Sequence, residues 1–267
     1  MPFHLDYYVF YSALLIINDR TDRELKLAWP SAIRPIGGKV CYTKIKIRGR
    51  DMKQSVLRFF FILLIGSLMS GCAMGVKYKI ADVQAQFNAN GKYLVVVASL
   101  DKRPFIIDKT SPATYVGMVR GGYGNPFNAT TFSGLPFSND VSLSICNALN
   151  RKGFKATVVT VKFDLAENEV IDRLLSKNGD RALLVIIKEW ESDSFYNLNV
   201  GYNFILKVIA KDGTILATAE AKDAVTVDGS VWTGSLEMSK KEVPNILRTA
   251  IESLLNNPDV VRVLAIN

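Results

Sequence analysis

The clearest pattern in the chain is an unbroken alternation: Leu198, Val200, Tyr202, Phe204, Leu206, Val208 and Ala210 occupy every second position. A period of two places these side chains on one face of a strand and the intervening ones on the other. Asp212-Gly213 follows, a strong hairpin signal, and predicts that Ile215–Val227 returns antiparallel. Residues 93–100, and residues 182–187 within the segment 181–190, are continuously apolar and rich in β-branched side chains, which suits strands buried on both faces. Residues 156–163, centred on Val158 and Val159, predict a further strand.

Helical spacing appears in three places. Ser138 offers an N-cap with Asp140 in the first turn, and Val141, Ile145, Ala148 and Leu149 form one stripe before Gly153 closes the helix. Residues 168–176 carry Val170, Ile171, Leu174 and Leu175 on one side, with Asn178-Gly179 as the stop. Ser239-x-x-Glu242 reads as a capping box opening a helix whose stripe is Val243, Ile246, Leu247, Ala250, Ile251, Leu254 and Leu255, ended by Pro258. Between these elements, residues 101–136 show no period and are punctuated by proline and glycine, so they are expected to form a long loop or a loop-and-hairpin insertion. Residues 72–92 are expected to be a tether, with a short amphipathic turn at 83–87. The order predicts one α+β domain over residues 93–267, a mixed sheet of five or six strands with helices packed on it. Short, right-handed crossovers would make its first three strands parallel.

The strongest signal outside this domain spans residues 52–72. Lys53 and Arg58 precede the apolar run of residues 59–69, and Ser70-Gly71-Cys72 ends it, which is the layout of a secretory signal. As a helix the run would be roughly 16 Å long, against a hydrocarbon core of about 30 Å. The ending Leu68-Met69-Ser70-Gly71-Cys72 resembles the lipobox of bacterial lipoproteins, with Met69 where that family prefers leucine. The resemblance implies cleavage after Gly71, diacylglycerol on the Cys72 sulfur and further acylation, often palmitate, of the freed amine. Two or three acyl chains suffice for stable anchoring. With Ala73 and Met74, not aspartate, after the cysteine, the resemblance implies an outer-membrane destination facing the periplasm. Met52 can serve as the initiator, and residues 1–51 are then expected to be an over-extended N-terminus; the rival reading is a leader of 71 residues. The order of elements with the lipobox also resembles the YajG-like and ABC-transport-auxiliary periplasmic lipoproteins, in topology only.

Charge and composition narrow the function. Residues 1–71 hold eleven Lys/Arg against five Asp/Glu, while residues 72–267 hold 22 against 20. The basic excess therefore belongs to the leader, and the body gives no argument for nucleic-acid binding. His4 and Cys41 also lie in the leader, so a body without it has no imidazole and only Cys72 and Cys146. This excludes Ser-His-Asp and Cys-His catalysis, histidine-bound zinc and a multi-cysteine zinc site. No cofactor is expected.

Glu189, Glu191 and Asp193 alternate, so a strand would carry all three carboxylates on one face, roughly 6–7 Å apart. They are read either as a divalent-metal site or acid-base pair, or as a solvated sheet face opposite a buried Trp190. The glycine cluster of residues 120–126 lacks the Lys-Ser/Thr of a P-loop and reads as a turn. Asn128-Ala129-Thr130 matches a glycosylation sequon by chance, and Cys146 is read as a buried small hydrophobe in preference to an intermolecular disulfide site. Two function classes follow: a non-catalytic envelope lipoprotein binding a protein partner, or a carboxylate-dependent hydrolase acting on envelope glycan through Glu189 and Glu191. The first is preferred, with Arg103, Tyr115, Arg120, Tyr123 and Phe127 of the insertion as contact residues, because aromatics and arginines concentrate interface energy.

Overall fold

Strand β6 (Arg181–Ser194) is 14 residues long and organises the sheet. Along one side it pairs antiparallel with β7 (Leu198–Ala210), which pairs in turn with β8 (Ile215–Val227). Gly213 takes a φ of +89°, the left-handed conformation that the tight turn between these strands requires, and Asp212 Oδ1 accepts the Thr214 N–H. The other side of β6 is shared between two neighbours. Residues 181–187 pair parallel with β2 (Leu94–Asp101), which carries β5 (Lys155–Val158) parallel on its outer side. Residues 193–194 pair parallel with β3 (Tyr115–Arg120), which is followed by antiparallel β4 (Pro126–Thr131) and the short β1 (Lys77–Tyr78). The sheet therefore forks at β6 and has eight strands. The parallel arrangement of β2, β5 and β6 is as expected; the expected five or six strands fall short because the insertion and the supposed tether supply β3, β4 and β1.

These elements belong to the compact unit Ala73–Asn267, of which the computed structural model describes residues 75–121, 124–229 and 234–265. The fold is α+β. Helices α2 (Phe137–Asn150), α4 (Gly234–Leu255) and α5 (Pro258–Leu264) bury the main core against one face, and α3 (Glu167–Leu175) covers the first half of β6 and β2 on the other. The short α1 (Pro104–Ile107) lies in the insertion. A bulge at Lys188 shifts the register of β6 on β7, so Leu183, Val185 and Ile187 before it and Trp190 after it all enter the main core. Every residue of the predicted stripe of α4 is buried.

Four local expectations are corrected. The tether is not free: Val76, Tyr78, Ile80, Val83, Ala85, Phe87 and Ala89 are buried, and Arg151 and Asn256 donate to the carbonyls of Ala85 and Gln86. Its alternate apolar residues find a core, so the chain is held as an extended strap and not as an amphipathic turn. Helix α2 begins at Phe137 and not beyond Ser138, because Phe137 itself packs against Trp190 with ring centroids 5.4 Å apart. Helix α4 begins before the supposed capping box, and Ser239 Oγ donates within it to the Leu236 carbonyl. Pro258, read as a stop, is the first residue of α5, with Asn257 accepting the Asp259 N–H as its cap.

Candidate functional site

Where β2 and β3 part company along β6, side chains take over from the backbone ladder. Trp190 Nε1 donates to the Val116 carbonyl at 2.9 Å, Ser192 Oγ reaches the same oxygen at 3.3 Å, and Arg103 Nη1 donates to the Tyr115 carbonyl at 2.9 Å. Gly117 lets the strands come this close, since a Cβ there would lie 1.8 Å from Ser192 Oγ. Arg103 is fully buried, and its Nε and Nη2 donate to both carboxylate oxygens of Asp101 at 2.9 and 2.7 Å. Its guanidinium lies 4.7 Å from the Phe137 ring centroid and 5.1 Å from that of Phe105. Tyr115 is buried edge-on to Phe105, and burial first, then the nearby Glu191 charge, raises its hydroxyl pKa above the ordinary tyrosine value.

This corrects the expectation for two contact residues. Arg103 and Tyr115 spend their polar and aromatic surface inside the fold and are not presented to a partner. The insertion is a structural part of the sheet, with Val116, Val119 and Ala129 in the main core. Arg120 does face outward, half-exposed, and forms a forked pair with Asp193 through Nε at 2.9 Å and Nη2 at 2.6 Å. Phe127 is half-buried on the neighbouring strand. Tyr123 and Cys72 lie outside the described residues.

Glu189 and Glu191 are exposed on the α3 side of the sheet, beyond the part that α3 covers, in the same row as Asp193. This is an open face and not a cleft, and Asp193 is already engaged by Arg120. Among the described residues no group of three or more His, Cys, Asp or Glu side chains converges as a metal site. Cys146 is buried, donates to the Ala156 carbonyl, and has its thiol pKa pushed up by that burial.

The sequence reading missed one surface. A cleft of about 350 Å³ is lined by Lys77, Tyr78, Lys79, Asp82, Val83, Lys240 and Pro244. At its floor Tyr78 is buried, which pushes its hydroxyl pKa up to about 12. Beside it Lys79 Nζ sits 5.4 Å from the ring of Phe132, itself 59% exposed, and Leu135 is exposed nearby in sequence. The signal was present: lysines at 77 and 79 interleave with Val76, Tyr78 and Ile80, a period-two pattern inside the segment read as a tether.

No family model and no curated protein matches the chain. Solved structures similar to it include protein XCC0632 of Xanthomonas campestris, of family DUF330, at 15% identity over 64% of this chain and 90% of that one, with a TM-score of 0.39. The PelC dodecamer of Paraburkholderia phytofirmans is similar at 13% identity over 69% and 95%, with a TM-score of 0.36. The C-terminal domain of LpoB from Salmonella enterica is similar at 12% identity over 52% and 87%, with a TM-score of 0.27. At such identities and scores these likenesses assign neither activity nor partner. No helix among the described residues is long and apolar enough to cross a membrane.

Proposed function

We propose that the chain is a non-catalytic envelope lipoprotein, held to the outer membrane through lipid-modified Cys72 and binding a protein partner in the periplasm. The observation that carries this reading is the ordered signal of residues 52–72, with its basic start, short apolar run and lipobox, directly ahead of a separately cored body. Because Val76 is already buried, only residues 73–75 lie between the anchor and the fold, a reach of roughly 10 Å. The body is then held at the membrane surface, not at the end of a long leash. Mass spectrometry of the membrane fraction should find an acylated N-terminal peptide starting at Cys72, and Cys72→Ser should leave the protein unprocessed and unacylated. An unmodified peptide spanning Gly71-Cys72 in the wild-type membrane fraction would sink the proposal.

We propose that the partner contact includes Arg120 and Phe127 of the β3–β4 hairpin, with Tyr123 between them in sequence. Arg120 is exposed enough that Arg120→Ala is expected to move the melting temperature by less than about 2 °C. The same substitution, alone or with Tyr123→Ala, should abolish recovery of the partner from envelope extracts by the tagged protein. Recovery that persists would move the binding surface elsewhere, the lysine-lined cleft beside Phe132 being the next to test.

A further inference from the structure

Strand β8 is the outermost strand of its side of the sheet, pairs only with β7, and keeps an unbroken register from Ala217 to Val227. No described strand covers its outer edge, and helices α4 and α5 pack on its core face. Thirteen residues is long for an edge. An edge of this length exposes a row of backbone donors and acceptors that another strand can continue. Edges are commonly guarded by charge, and β8 carries charges on its solvent face at Glu220 and Lys222, both exposed. These two have opposite sign and lie symmetrically about Ala221. A guard of like charges would repel a second copy; this pair does not.

We propose that the β8 edge pairs antiparallel with the β8 edge of a second copy of this chain, about a two-fold axis at Ala221. A two-fold axis perpendicular to the sheet keeps each side chain on its own face and sets residue 220 opposite residue 222 of the partner subunit, twice. Both contacts are then Glu against Lys, the arrangement that stabilises cross-strand neighbours. On the same face Thr218 meets alanine 224 of the partner, and on the core face Ala219 meets aspartate 223; neither pairing is crowded or like-charged. Moving the axis by one residue sets Glu220 against its own copy or Lys222 against its own copy, so charge selects the register. The result is an isologous dimer whose two sheets run on as one.

The test uses the full-length chain in detergent, with association read by analytical ultracentrifugation and fold by circular dichroism. The wild type should dimerise reversibly. Glu220→Lys, which leaves two lysines per edge, and Lys222→Glu, which leaves two glutamates, should each weaken association about tenfold or more while keeping the wild-type spectrum. The double swap Glu220→Lys/Lys222→Glu should restore it. Mixing the two single variants should give a heterodimer, because every cross-strand contact is then again of opposite sign. A monomeric wild type, single variants that associate as the wild type does, or a mixture that stays monomeric would each overturn the proposal. A dimer indifferent to all these substitutions would overturn it as well, by locating the contact away from β8. None of these outcomes depends on acylation of Cys72.

Discussion

Asp101→Ala is expected to destabilise the body by about 3–5 kcal/mol, because it strands the Arg103 guanidinium, fully buried, without its counter-charge. For a domain of this size that corresponds to a drop of roughly 6–20 °C in melting temperature. Removing both charges should cost far less: Asp101→Leu with Arg103→Met replaces the pair by apolar volume, and such replacements are often close to neutral. The comparison separates a buried charge pair from ordinary loss of packing. If the single and double variants melt together, the pair is not the source of the effect. Hydrogen exchange should show the loss first in β3 and β4, since Arg103 is what carries the end of β2 across to the Tyr115 carbonyl.

Trp190→Ala is expected to cost about 3–5 kcal/mol in urea denaturation, the range for removing a buried aromatic. The indole is fully buried, lies 5.8 Å from and nearly parallel to Phe204, and also meets Phe137 and Tyr202. Trp190→Phe keeps much of that packing and removes the bond to the Val116 carbonyl while leaving the longer contact from Ser192; a smaller loss of about 1–2 kcal/mol is expected. Equal losses in the two variants would mean that the hydrogen bond, and not the volume, dominates at this position.

The β6–β7–β8 meander and the helix stripes were legible because each is long and keeps one period: two for β7, 3.6 for α4. The parallel set β2, β5 and β6 followed from apolar runs joined by helix-length connections. The hairpin β3–β4 was hidden by its own composition. Gly117, Asn128 and three threonine or alanine positions in β4 carry little apolar signal, and the glycine serves a close approach to Ser192 that only the fold reveals. The strap of residues 76–89 alternates correctly but contains just two residues of ladder-paired strand, so its burial depends on helices more than 60 residues away in sequence. For the contact residues the difficulty was chemical. Arginine beside aromatics suits an interface and a buried cation–π stack equally well, and Asp101, two residues before Arg103 at a strand end, was the one sign of the second.

The shared strand β6 also sets the order in which the molecule can be completed. A chain is synthesised from its N-terminus, and by the time residue 180 has emerged it can hold two strand pairs, β2–β5 and β3–β4, the second with β1 on its far side, that share no ladder hydrogen bonds. Both pairs present open edges until residues 181–194 arrive and bind them from one side. The β7 and β8 segments then fold against β6 by local hairpins, which close quickly compared with the distant pairings. Assembly is therefore committed late, by a seam and not by a nucleus at the N-terminus, and a chain cut just before Arg181 has its strands but no common sheet to put them in.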